Sequence, residues 1–191
     1  MLTLCFSVYI VFRVILCTIV ANYQNLIPVS LSSNTGENFS LGLLNAQSVG
    51  SARKRAAIND FILEHRLDLF FITETWLRKD GDEPKCLDLC PPAYTAYSFP
   101  RLTRGGGIAV VISDCIRQHV SYNTTFPFDH ETFELCHTTI NTNFSKLHIF
   151  CIYRPPPSQL NRLSSSLFVT QFTDLLEFTN TLGGLSIIFI K

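Results

Sequence analysis

The feature that most constrains this chain is a strand–helix–strand order between Phe39 and Glu74. "FSLGLLN" is a short apolar run and "LDLFFITE" is another. Between them, "SARKRAAINDFILEHR" places Ala57, Ile58, Phe61, Ile62 and His65 at helical spacing, with Ser51 where a helix cap belongs. Two strands joined through a helix in one sheet run parallel, and the crossover is almost always right-handed. Both strands therefore end at the same edge of the sheet. Those ends carry Asn45 and Glu74, and Trp76, the chain's only tryptophan, follows closely.

The middle of the chain has a different rhythm. "GIAVVIS" follows the glycine run Gly105–Gly107, and "TFELCHTTI" and "KLHIFCIY" are separated by a turn around Asn141 to Asn143. Short strands this close together read as antiparallel hairpins. "YRPPP" then stops strand pairing, because proline has no N–H to give to the ladder. In "SSSLFVTQFTDLLEFTN", Phe168, Phe172, Leu175, Leu176 and Thr179 share one helical face, and "LSIIFI" is a last buried strand. If "LSIIFI" lies parallel to "KLHIFCIY", its end returns to the same edge. The fold class expected is α/β (α+β) with a mixed sheet.

With 191 residues, 47% hydrophobic, there is enough chain for one packed domain. Fifteen basic residues balance fifteen acidic ones, so the chain as a whole has no electrostatic footprint for nucleic acid. The seven cysteines are scattered, and only Cys86 and Cys90 are close, which excludes a paired zinc set. The five histidines, His65, His119, His130, His137 and His148, have no metal spacing. The glycine run lacks the lysine and spacing of a phosphate-cradling loop and reads as a hairpin entry with positive backbone torsions.

Residues 1–21 differ in kind. Twelve Leu, Ile, Val and Phe residues are interrupted by a single charge, Arg13, within the first twenty. On an insertion scale each of the twelve contributes about −0.3 to −0.6 kcal/mol against about +2.5 to +3.5 for the arginine. A transmembrane or export segment and a fortuitous apolar run are both compatible with that balance. Export would give the sequons at Asn38, Asn123 and Asn143 a meaning, and would set a membrane or secretory location. Residues 22–38 are polar and turn-rich and read as a linker; residues 39–191 read as the domain.

In open α/β sheets, sites lie outside the carboxyl ends of strands. Asn45, Glu74 and Tyr153 all stand there. A carboxylate with an amide beside it suits a hard cation such as Mg2+, which takes oxygen ligands and keeps several waters. Each residue alone also has a plain reading: Glu74 a solvated acid, Asn45 a turn residue, Tyr153 an amphipathic rim residue, and Trp76 packing over the sheet edge.

Taken in order, "LLNAQSV", "DLFFITETWL", "RGGGIAVVIS" and "IYRPPPS" resemble the endonuclease/exonuclease/phosphatase (DNase I-like) superfamily. More narrowly they look like the endonuclease domain of LINE-type, non-LTR retrotransposons. The resemblance implies a β-sandwich with flanking helices and Mg2+-dependent hydrolysis of a phosphodiester, usually in DNA, with no small-molecule cofactor and a nuclear or cytoplasmic location. It implies Glu74 as metal ligand, Asn45 positioning the phosphate or metal, and Tyr153 at the scissile phosphate. Arg104 and Arg154 are candidates for the DNA backbone from charge and position. Another branch of the superfamily, a lipid phosphodiesterase, fits the "TETWL" and "IYRPPP" wording less well.

The family's "GDFN"-like and "SDH"-like motifs have no counterpart here, since the sequence reads "GGLSIIFIK" at its end and no Asp or Asn follows Asn180. Losing one acid–base partner typically costs about 10² to 10⁴ in rate. The expectation is an incomplete sandwich that is catalytically incompetent, with one sheet face left apolar and exposed. The alternative is a non-catalytic fragment attached to a membrane or dependent on a partner.

Overall fold

The computed structural model describes residues 7–11, 14–18, 27–32, 38–101, 105–143, 145–156 and 164–191. In chain order these form β1 (Ser7–Val11), β2 (Val14–Thr18), β3 (Ile27–Ser32), β4 (Asn38–Asn45), α1 (Ala52–Glu64) and β5 (Leu69–Thr73). Then come α2 (Glu83–Leu87), β6 (Tyr94–Phe99), β7 (Ile108–Ser113), a single 3-10 turn at Arg117–His119 and β8 (Val120–Asn123). Last are β9 (Glu134–Asn141), β10 (Lys146–Tyr153), α3 (Ser165–Thr181) and β11 (Leu185–Ile190). The chain divides into two compact units, Asn22–His119 and Met1–Ala21 with Val120–Lys191. Each unit holds one mixed sheet.

In the Asn22–His119 unit the sheet order is β3-β4-β5-β7-β6. β4 and β5 are parallel, in register from Leu41↔Leu69 to Asn45↔Thr73, as the strand–helix–strand pattern requires. Ser51 caps α1, its Oγ accepting from the Lys54 N–H at 3.2 Å. The apolar stripe of α1, Ile58 and Ile62, packs with Leu67, Phe70, Ile72, Ala109 and Val111. Each such side chain contributes about 1.5–3 kcal/mol by leaving water. Every residue of β5 and of β7 is buried, so both faces of these strands are covered. That is why "LFFIT" and "IAVVIS" are continuous apolar runs and do not alternate.

The other unit has the order β1-β2-β11-β10-β9-β8. β8, β9 and β10 form an antiparallel meander, and β10 reaches its parallel neighbour β11 through α3. Ser164 caps α3, and Leu175 is fully buried with Phe133, Leu135, Phe150, Ile152 and Ile188. Phe168, Phe172, Leu176 and Phe178 pack around that cluster from the helix.

Strands occur in stretches where the sequence reading placed none. The apolar run of residues 1–21 supplies strands: β1 and β2 form a hairpin, and β2 pairs with β11 in parallel from Ser186↔Val14 to Ile190↔Thr18. It thereby covers the backbone edge that β11 would otherwise present unpaired. Among the described residues no helix is long and apolar enough to cross a membrane. The stretch read as a linker, 22–38, contains β3, which pairs antiparallel with β4 from Ile27↔Leu43 to Ser32↔Asn38. The central strands β5, β7 and β10 are buried along all or nearly all of their length. β6 and β8 were also not foreseen. Their residues are half-buried or exposed, and an edge strand with no buried face has no strong period to read.

Candidate active site

The parallel pairing of β4 and β5 brings Asn45 and Glu74 together at one sheet edge. The Asn45 Nδ2 donates to Glu74 Oε1 at 2.8 Å. Both side chains are half-buried, and among the described residues this is the hydrogen bond the Glu74 carboxylate accepts, leaving Oε2 for another ligand. Asn45 Oδ1 accepts a long contact from the Gln47 N–H at 3.4 Å, so the amide is oriented with its N–H2 toward the acid.

The backbone at this edge is unusual. Gln47 (φ 46°), Ser48 (φ 85°), Glu74 (φ 53°) and Trp76 (φ 56°) all occupy the left-handed region although none is glycine. Such residues cost about 1–2 kcal/mol each, and they persist where the surroundings over-determine them. Here the surroundings are a ladder of backbone hydrogen bonds beyond the strands. The Ser48 and Val49 N–H groups donate to the Glu74 and Thr75 carbonyls at 2.7 and 2.9 Å. On the other side, the Thr75 and Trp76 N–H groups donate to the Gly107 and Gly106 carbonyls at 3.1 and 2.8 Å. Glu74 is thus clamped between the loop after β4 and the glycine run before β7.

That gives the glycine run its purpose. Gly105, Gly106 and Gly107 have φ of 84°, 69° and 86°. A Cβ on Gly107 would stand 2.7 Å from Thr75 Oγ1, so a side chain there would push the tip of β5 aside. The positive torsions agree with the hairpin-entry reading, and the run does its work by carrying the acid.

The loop after β4 is held from below by α1. Lys54 Nζ donates to the Ala46 carbonyl at 2.8 Å. Arg55, only 8% exposed, donates through Nη1 to the Val49 and Gly50 carbonyls at 2.9 and 2.8 Å. Its Nε and Nη2 reach Asp88 Oδ2 at 3.2 and 3.0 Å. Beyond Trp76, Asp82 is buried and accepts from the Arg78 N–H and Lys85 Nζ at 2.9 and 2.6 Å. The Lys85 bond and the backbone N–H hold its carboxyl below the usual carboxylate range. Sequence reasoning passed over Arg55 because a basic residue in a helix normally faces water.

The other expected site residues belong to other elements. Tyr153 ends β10 in the unit containing Val120–Lys191, and it is buried. Arg154 follows it with its guanidinium 4.0 Å over the Phe168 ring and Nη2 donating to Ser165 Oγ at 3.3 Å, so the side chain is engaged with α3. Arg104 lies outside the described residues.

One cluster had no signal in the sequence. The β9–β10 pairing sets His148 opposite Thr139 and Phe150 opposite His137. His137 Nε2 lies 2.9 Å from His148 Nδ1, and Thr139 Oγ1 is 3.2 Å from both. His148 Nε2 contacts the Gly183 carbonyl at 3.0 Å, which places its proton on that nitrogen and leaves Nδ1 as acceptor. Burial first, and His148 second, push His137 down to about 4. Eleven residues separate the two histidines, a spacing that means nothing until the strand register is known.

A divalent metal fits the Asn45–Glu74 edge in donor chemistry. One hard carboxylate oxygen is free, and such an ion accepts one or two carboxylates and fills the rest of its sphere with water and phosphate oxygens. Among the described residues no group of three or more His, Cys, Asp or Glu side chains is arranged to hold an ion.

A family model described as the Endonuclease/Exonuclease/phosphatase family matches residues 31–180. Among solved structures, an AP endonuclease from Leishmania major is similar with a TM-score of 0.55 at 15% identity, over 79% of this chain and 52% of that one. A 3′ phosphatase, NExo, from Neisseria, bound to a product DNA hairpin, is similar with a TM-score of 0.51 at 12% identity, over 78% and 56%. TDP2 from D. rerio, complexed with a single-strand DNA product, gives 0.51 at 12% identity, over 79% and 58%. The chain spans little more than half the length of these proteins. No curated protein matches it. At such identities the likeness is one of fold: a mixed α/β, DNase I-like architecture with two mixed sheets.

Proposed function

Because this chain belongs to the endonuclease/exonuclease/phosphatase family, we propose that it carries the metal-binding edge of an Mg2+-dependent DNA endonuclease of the non-LTR retrotransposon type. The observation that carries this reading is the 2.8 Å bond from Asn45 to Glu74 at the tips of two parallel strands. The family is generally divalent-metal dependent. When bound, Mg2+ would stabilise charge on a phosphate and make a bound water more acidic.

Glu74 would hold the ion, its carboxylate oxygen not engaged by Asn45 being the one available to it. Asn45 fixes the carboxylate's orientation by occupying the other, and its amide stands ready to meet a phosphate oxygen. The clamped backbone on both sides of Glu74 keeps the acid in place before any ligand arrives, which is the requirement for a site that acts by positioning. Tyr153 and Arg154 are proposed contacts to the phosphate chain. For Arg154 this requires release from Ser165. DNA as the substrate is supported by the two solved relatives above that hold DNA products. The "TETWL" and "IYRPPP" wording supports the retroelement branch.

These 191 residues, on this reading, are catalytically incompetent by themselves, because among the described residues a single carboxylate serves the edge. The test is nicking of supercoiled plasmid with Mg2+. No nicking above background is expected, together with Mg2+ binding that Glu74→Gln removes. Nicking that disappears in Glu74→Ala would overturn the inactivity. Loss of Mg2+ binding in neither variant would overturn the site.

A further inference from the structure

Resting on the DNA reading above and extending it, we propose that Trp76 is the platform on which a base of the DNA strand stacks beside the Glu74 edge. Trp76 is 47% exposed, while Thr75 and Leu77 on either side are buried at 1% and 5%. Among the described residues the other exposed large apolar side chains are Leu63, Leu87, Tyr122, Leu167 and Val169, which lie on α1, α2, β8 and α3. Trp76 is the one that emerges at a strand tip. Its place is set by the same device that sets Glu74. Both residues have left-handed torsions, and the Trp76 N–H is tied to the Gly106 carbonyl at 2.8 Å. With Thr75 turned inward between them, the carboxylate and the indole leave the same short segment. Gly105 lies beside the indole, where a Cβ would stand 4.0 Å from Nε1, and as glycine it puts no side chain against the ring.

The chain's charge gives the ring a task. With fifteen basic and fifteen acidic residues it has little general attraction for a polyanion, so contacts that do not depend on counterion release carry more of the affinity. An aromatic face supplies such a contact, and it tolerates any sequence because every base has a π-face. A base can reach the ring only where the stack is open, so the ligand chemistry is single-stranded or locally unstacked DNA.

The experiment uses the full chain and a fluorescently labelled single-stranded oligonucleotide, with anisotropy measured at several salt concentrations in Mg2+. Trp76 is the sole tryptophan, so its emission reads the contact directly. Binding should quench that emission. Trp76→Ala should weaken binding by about 5- to 100-fold with an unchanged salt slope, and Trp76→Phe should keep most of the affinity. Binding with unaltered tryptophan emission, or Trp76→Ala binding as tightly as the parent, would overturn the stacking role and leave the DNA reading standing. No anisotropy change with any oligonucleotide would remove both. If circular dichroism shows Trp76→Ala to be unfolded, quenching and the Phe variant decide.

Discussion

Lowering the pH should destabilise this protein through His137. Its ring is 7% exposed, stacked on Phe150 at 4.3 Å between centroids, and bonded to His148 at 2.9 Å. Burial and the neighbouring His148 bring it from 6.5 down to about 4. Above pH 6.5 the ring is neutral in both the folded and the unfolded chain, and no stability is at stake. Below 6.5 the unfolded chain takes up a proton that the folded chain refuses, so stability falls with pH until the folded ring also titrates near 4. The interval from 6.5 to about 4, at about 1.4 kcal/mol per unit, gives a loss of about 3 kcal/mol by pH 4 and about 1 kcal/mol at pH 5.5. His148 is lowered too, by burial first, with Lys146 adding repulsion, so its protonation works in the same direction. The assay is urea unfolding followed by far-ultraviolet circular dichroism at pH 7, 5.5 and 4, comparing the parent with His137→Gln. Glutamine keeps an N–H for His148 Nδ1 but does not titrate. The parent should lose more stability than the variant by the amounts given, while carboxylates and His148 contribute to both. Parallel pH profiles for the two proteins would refute the reasoning.

Three further outcomes follow from the geometry. Gly107→Ala should lower stability by about 1–3 kcal/mol in urea unfolding, because its Cβ meets Thr75 Oγ1 at 2.7 Å with φ at 86°; an unchanged midpoint would show that the clamp on Glu74 is slack. Ala93 is exposed with φ at 67°, so Ala93→Gly should raise stability by about 0.5–1 kcal/mol, the relief of strain exceeding the entropy of the added glycine. Alkylation at pH 8, read by mass spectrometry, should modify exposed Cys115 first among Cys86, Cys90, Cys115, Cys136 and Cys151. Cys136, pushed up to about 12 by burial, and fully buried Cys151 should react only after unfolding.

Local period in the chain was enough to place the parts that carry the candidate site. The helical spacing of Ile58 and Ile62 between two apolar runs implies a parallel crossover, and that alone puts Asn45 and Glu74 on one edge. The run "LSIIFI" was likewise legible as a parallel neighbour of "KLHIFCIY". The motif wording carried the family. In each case the information lies within a few residues of the element concerned, or is forced by chain connectivity.

Tertiary structure decided the rest, because it depends on which strand lies beside which and in what register. The run "MLTLCFSVYIVFRVILCTIV" is apolar enough to suit lipid or protein, and only the unpaired edge of β11 selects a strand for Val14–Thr18. His137 and His148 meet because Phe150 stands opposite His137 on the neighbouring strand, a pairing that no spacing within the sequence encodes. Arg55 is drawn inside by carbonyls of a loop that exists only once α1 has packed. The left-handed torsions at Glu74 and Trp76 are likewise imposed from both sides, by Ser48 and Gly106. Sequence patterns report what a segment buries; hydrogen-bonded register between distant segments determines where a side chain is aimed.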